Sequence, residues 1–174
     1  MGHYLADLPF DKISTTHAAF KEAEETVKAK NEQLLSIQGN KTVVEFHKSL
    51  GKIMWDYCGM ARSEAGLKEA SQKVQAIKEE FWKQVLVTGE GESLNMMLEK
   101  ANRVADFIEL GALMIEDALH RKESCGGHFR EEYQTEAGEA KRDDENFAYV
   151  AAWEYEGAGK KETLHKEPLS LIHI

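Results

Sequence analysis

The chain has 174 residues, of which 42% are hydrophobic, 30% charged and 9% aromatic, and it carries a net charge of -9. That is enough apolar material for one core; the length allows one domain, or one with an appendage, but not two catalytic domains with separate cores. The acidic balance, with a sequence pI near 5.3, argues against nucleic acid and anionic lipid as partners, and no run approaches the roughly 20 apolar residues of a membrane-spanning helix.

The opening MGHYLADLPF lacks a basic n-region and an apolar h-region, so the chain reads as cytosolic or lying on the cytosolic side of a membrane. Two prolines, Pro9 and Pro168, bracket the body, and nothing between them forces a helix to break. Thr16 is expected to cap a first helix over residues 17–38, with Gly39 and Asn40 as the stop. Its apolar residues, from Ala19 and Phe20 to Leu34 and Leu35, are interrupted by Glu24, Glu25, Lys28 and Lys30, which predicts a half-exposed helix.

Thr42 and Glu45 form a Thr-x-x-Glu capping box for a second helix with the stripe Val43, Phe46, Leu50, Ile53, Met54 and Tyr57, ended by Gly59. Ser63 opens a third, in which Leu67, Ala70, Val74, Ile77, Phe81 and Val85 step by three and four. Ser93 is expected to cap a fourth over residues 94–121, with a stripe running from Leu94 and Met97 to Ile115 and Leu119 and a bend near Gly111. Met96, Met97 and Met114 read as core fill. Short loops between such helices predict an antiparallel bundle.

After Ser124 the pattern changes, since Cys125-Gly126-Gly127 cannot continue a helix. A polar loop leads to Phe147, Tyr149, Ala151, Trp153 and Tyr155, which alternate as in a strand, and residues 156–159 turn the chain toward a second strand over 163–169. The apolar residues 169–174 read as a strand or as a cloning or truncation scar. The expected fold is mainly α: an antiparallel three- to four-helix bundle over residues 13–123, then a polar motif loop and a small C-terminal β-hairpin segment over 124–174, with 1–12 as a linker.

Candidate chemistry is sparse. His120, Cys125 and His128 lie within nine residues, and Cys-x-x-His is a ligand spacing, but a fourth ligand is missing and loop packing is the favoured reading. A nucleophile at Ser124 or Cys125 would face the negative end of a helix dipole, which opposes thiolate formation. Cys58 and Cys125 read as separate reduced thiols. Glu131-Glu132 and Asp143-Asp144 read as salt-bridge or surface acids, and no glycine-rich turn joins a strand to a helix as phosphate binding requires. What stands out is paired charge and glycine from His120 to Asn146, a composition suited to an ordered polar interface.

That segment carries a resemblance. Arg121-Lys122-Glu123-Ser124-Cys125-Gly126-Gly127-His128-Phe129-Arg130-Glu131-Glu132-Tyr133, followed by Arg142-Asp143-Asp144-Glu145-Asn146-Phe147, resembles the signature of the C-terminal region of succinate dehydrogenase and fumarate reductase flavoprotein subunits. The resemblance extends from about residue 10 to residue 169, and Tyr4-Leu5-Ala6-Asp7 is similar to the last turn of the helix that ends the flavin domain in such proteins. Cys125 stands where arginine is usual, Gly127 where alanine is, and Phe147 where tryptophan is. L-Aspartate oxidases share part of the motif, but the Arg-Asp-Asp-Glu-Asn ending fits the dehydrogenase and reductase branch better.

The resemblance implies a parent subunit that holds FAD, interconverts succinate and fumarate and exchanges electrons with quinone through an iron-sulfur subunit, at the cytoplasmic inner face of a membrane and without a span of its own. No position here matches the family's flavin, substrate or proton-transfer residues, so it implies no catalytic, cofactor or metal residue in this segment, which is expected to be inactive alone. It implies a structural or interface role for Arg121, Glu123, Ser124, Gly126, His128, Arg130, Arg142, Asp143, Asp144 and Asn146. The expected partners are the flavin-binding domain of the same subunit and the iron-sulfur subunit. The alternative is a free-standing acidic helical domain that binds another protein.

Overall fold

The computed structural model describes residue 3 and residues 14–157 and 160–169. The expected linker at 1–12 with its helix end at 4–7, the turn positions 158–159 and the apolar residues 170–174 lie outside the described residues. In chain order the elements are α1 (Ala18–Ser36), β1 (Lys41–Thr42), α2 (Val43–Tyr57), β2 (Ala61–Arg62), α3 (Glu64–Gln84), β3 (Val85–Leu86), α4 (Met96–His120), β4 (Phe129–Arg130), α5 (Asp144–Phe147), β5 (Tyr149–Glu154) and β6 (Thr163–Pro168). The chain is mainly α with a small C-terminal hairpin, as expected. It forms two compact units, Met1–Lys48 with Lys78–Phe107, and Ser49–Ile77 with Ile108–Ile174. α2 and α4 each run from the first unit into the second, and α3 runs from the second into the first.

In the first unit, α1 starts two residues after Thr16: His17 is the cap and its Nδ1 accepts from the Ala19 amide at 3.2 Å, while the Thr16 hydroxyl bonds Ser14. Leu34 is its one buried residue, so this helix is more exposed than its pattern suggests. It ends at Ser36, before Gly39, whose role is different. A Cβ at Gly39 would lie 2.0 Å from the Gln84 carbonyl oxygen, so only glycine lets the chain pass the end of α3 and pair Lys41 with Val85 in the parallel β1·β3 ladder. The α2 capping box forms as read: the Thr42 amide and hydroxyl donate to Glu45 Oε2 at 2.8 and 2.6 Å, and the Glu45 amide donates to Thr42 Oγ1 at 3.2 Å. The Thr42 hydroxyl, then its amide, hold the Glu45 carboxyl below its usual range. Val43, Phe46, Phe81 and Val85 are buried here, with the Phe46 and Phe81 rings edge to face at 5.2 Å.

The α4 cap is Asn95, not Ser93. Asn95 Oδ1 accepts from the Met97 and Leu98 amides at 3.0 Å each, while its Nδ2 donates to the Thr88 and Glu90 carbonyls and closes the loop between α3 and α4. Starting the helix there leaves Leu94 in solvent and makes Leu98 its first buried residue. Met96 and Met114 are exposed rather than core fill, because the buried stripe runs through Leu98, Ala101, Val104 and Ala105.

In the second unit, the α3 stripe is the best realised of all: Leu67, Ala70, Val74 and Ile77 are all buried. The helix α4 runs through Gly111 without a break, and a Cβ there would stand 3.4 Å from Leu50 Cδ1 and Met54 Sδ, an ordinary contact with α2. The hairpin pairs antiparallel from Tyr149↔Pro168 to Glu154↔Thr163. Phe147 does not join it; Asp143 caps the short α5 and draws Phe147 into that turn.

Replacing Phe81 by Ala should cost about 3–5 kcal/mol, against about 1 kcal/mol for Thr42→Ala. Urea denaturation of the two variants should rank them in that order.

Candidate functional site

The motif residues gather around the end of α4. The last carbonyls of a helix have no amide partners of their own, and here side chains from the following loop supply them. Arg130, 1% exposed, donates from Nη1 to the Ala118 carbonyl at 2.8 Å. His128 Nε2 donates to the Arg121 carbonyl at 2.9 Å, which leaves Nδ1 as the acceptor for Arg62 Nη1, also at 2.9 Å. Burial pushes the His128 imidazole below its ordinary value against the pull of the Arg121 carbonyl, and the Arg62 and Arg130 charges add to the lowering.

Ser124, fully buried, ties the loop to itself: its hydroxyl accepts from the Arg130 amide at 2.8 Å and donates to the Arg130 carbonyl at 3.2 Å, and its amide donates to Lys141. Arg130 Nε donates to Glu132 Oε2 at 3.1 Å, and Glu132 Oε1 accepts from the Glu64 amide at 2.6 Å, so this carboxylate sits at the first turn of α3. Desolvation pushes the Glu132 carboxyl up, but the Glu64 amide, its own amide and Arg130 outweigh it and hold the group below its usual range. Beneath them the parallel pair β2·β4 aligns Arg62 with Arg130.

A second set of contacts leads to the hairpin. Glu123, 2% exposed, accepts from Arg121 Nη1 at 2.8 Å with one oxygen and from the Asp143 amide at 2.9 Å with the other. Arg121 also donates to the Phe147 and Tyr149 carbonyls and lies over both rings. Asp143 caps α5 and binds the Asn146 side-chain amide. Arg142 and Asp144 pair with each other at 2.6 Å, half exposed. Trp153 Nε1 donates to Asp117 Oδ1 at 2.8 Å, and His120 Nε2 bonds the Tyr149 hydroxyl at 2.9 Å, which docks the hairpin on α4.

The structure therefore brings together Arg121, Glu123, Ser124, His128, Arg130 and Asp143, with Asn146 one contact further out; the Arg142–Asp144 pair faces solvent. Gly126, at φ +58°, supplies the left-handed position of a tight turn in which Cys125 and His128 exchange backbone hydrogen bonds of 2.8 and 3.0 Å. Both thiols are free. Both ring nitrogens of His128 are held by protein groups, and among the described residues no group of three or more His, Cys, Asp or Glu side chains is placed to hold a metal. Glu132 and Asp143, one from each acidic pair, are fixed by backbone amides. Arg62, Asp117 and Tyr149 were not legible as members: the two-residue β2·β4 pairing that places Arg62 has no sequence signature.

The sequence profile described as "Fumarate reductase flavoprotein C-term" matches residues 47–174. The chain belongs to this family. The fumarate reductase flavoprotein subunit of Haemophilus influenzae is 26% identical over 146 residues, 84% of this chain and 23% of that protein. An uncharacterised FAD-dependent oxidoreductase of Methanocaldococcus jannaschii is 31% identical over 114 residues, 64% of this chain and 20% of that one. The fold matches a chain of the Mycobacterium smegmatis Sdh1 complex in the apo form, with a TM-score of 0.74 at 22% identity, covering 98% of this chain and 27% of that one. The chain thus spans about a fifth to a quarter of the length of these relatives. Membership in the fumarate reductase flavoprotein C-terminal family does not favour the free-standing adaptor reading. Among the described residues, no helix is long and apolar enough to cross a membrane.

Two outcomes test this geometry. Arg130→Met removes the partner of a buried helix-end carbonyl and of Glu132, and should cost about 2–4 kcal/mol in urea denaturation. For His128, a folded-state pKa below the ordinary 6.5 means that the unfolded chain takes up the proton first. Its stabilisation is whole above that value and is lost as pH falls through it toward the folded pKa. Urea midpoints measured from about pH 7.5 to about 5.5 should fall, and fall less in His128→Gln, whereas the carboxylates contribute only at lower pH.

Proposed function

We propose that this chain is the helical C-terminal part of a flavoprotein subunit that interconverts succinate and fumarate on FAD, exchanging electrons with quinone through an iron-sulfur subunit. The observation that carries the reading is the match to the family profile over residues 47–174 together with similarity to proteins named as fumarate reductase flavoprotein subunits. On this reading the flavin and the reacting groups belong to the remainder of the subunit, and this chain supplies structure. The bundle of residues 13–123 packs against the flavin-binding domain, and the segment 124–174 presents the polar hub toward the iron-sulfur subunit, at the cytoplasmic face of a membrane.

The arrangement suits that task. An interface loop works best when its geometry is fixed before the partner arrives, since ordering then costs less on association. Ser124, Glu123 and Arg130 fix the backbone from within and leave Arg142, Asp144 and Glu131 on the surface. Internal ion pairs also cancel charge that would otherwise repel a partner.

The purified 174-residue chain should show no flavin absorbance and no succinate-dependent dye reduction, whereas the complete subunit with its flavin domain should show both. Flavin bound by the short chain, or dye reduction by it, would overturn the reading.

A further inference from the structure

We propose that a groove in the first unit, between the N-terminal parts of α2 and α4, is a binding site for a small apolar monocarboxylate. It is open to solvent on one side and has a volume of about 260 Å³, room for on the order of nine non-hydrogen atoms at ~30 Å³ for each water-sized group. Its floor is Val43 and Val104, both buried, and its walls are Val44 and Phe107, 43% and 42% exposed. The His47 ring lies beside Phe107 with centroids 5.7 Å apart at 36°, extending the wall as a flat surface.

The rim decides the ligand's charge. Arg103 is paired with Glu99 on its own helix, but Lys100 lines the groove with no hydrogen-bond or ion-pair partner among the described residues, and the ring nitrogens of His47 have no hydrogen-bond partner there either. The carboxylates that could neutralise them are engaged elsewhere. Glu45 is held by the Thr42 cap, and Asp106 pairs with Lys30 of α1 at 2.9 Å. A chain of net charge -9 thus keeps a positive edge over an apolar floor. The wider groove along α1, about 790 Å³, is edged instead by Glu24, Glu32 and Glu92.

A carboxylate at the rim would accept a charge-assisted hydrogen bond from Lys100 Nζ while an aromatic or branched body covers the valines and Phe107. A short dicarboxylate fits poorly, because it lacks that body and would bring a second charge over the apolar floor. The site rests on none of the residues of the polar hub and does not depend on the succinate–fumarate reading.

Benzoate is the probe, titrated into the isotope-labelled 174-residue chain and followed by amide chemical shifts, with benzyl alcohol and succinate as comparisons. Benzoate should saturate with a Kd on the order of 1 mM and move the amides of Val44, His47, Lys100 and Phe107. Benzyl alcohol and succinate should each bind about tenfold more weakly or worse, and Lys100→Gln should weaken benzoate about tenfold while leaving benzyl alcohol unchanged. Lys100 is exposed and has no partner among the described residues, so the variant should keep the wild-type spectrum. The proposal fails if benzoate gives no saturable shift at these amides up to tens of millimolar, if benzyl alcohol or succinate binds as well as benzoate, or if Lys100→Gln binds benzoate as the wild type does.

Discussion

A helix that ends under a covering loop must find donors for its last carbonyls, and α4 ends in this way. Arg130 and His128 meet that requirement at the Ala118 and Arg121 carbonyls, and the contacts of Ser124, Gly126 and Glu132 place those two side chains. Burying a guanidinium without a counter-charge would cost several kcal/mol, so Glu132 must be close. Glu132 in turn lies on the first amide of α3, so one carboxylate serves both an arginine and a helix start. The hydroxyl of Ser124 fixes the Arg130 backbone, and the tight turn at Gly126 returns His128 to the helix end.

Two of the three departures from the usual family signature, Cys125 and Gly127, fall where the backbone rather than the side chain makes the turn, and at the third an aromatic ring is kept. At Cys125 the backbone makes the turn, through paired hydrogen bonds with His128. Gly127 has no positive φ and nothing within 4 Å of where a Cβ would stand, so the alanine usual in the family would fit as well. Phe147 contributes its carbonyl and a ring face to Arg121. Among the positions that agree with the signature, Glu123, Ser124 and Arg130 are buried in hydrogen bonds and His128 is half-buried, while Arg142 and Asp144 pair at the surface.

The sequence was most legible where a single physical rule acts locally. The α3 stripe, the Thr42–Glu45 box and the alternation of Tyr149, Ala151 and Trp153 each follow from backbone periodicity and capping chemistry, and each is found. Reading was poorer where two neighbouring residues compete for one task, as Ser93 and Asn95 do for the α4 cap. Asn95 prevails because it carries both an acceptor for the helix amides and a donor for the loop carbonyls. The motif residues were legible as a group through family resemblance, but their wiring was not, because the contacts of Arg62 and Asp117 depend on long-range register. Gly39 shows the same limit from the other side: a glycine after a helix looks like a terminator, and its actual reason is the distant Gln84 backbone.

Neither compact unit is a continuous stretch of chain. Each is assembled from two stretches, and the boundaries at residues 48–49, 77–78 and 107–108 fall inside α2, α3 and α4 rather than in loops. No single cut can excise one unit whole, and any cut at a boundary severs a helix whose two ends serve different cores. Unravelling any one of these three helices therefore withdraws side chains from both cores at once.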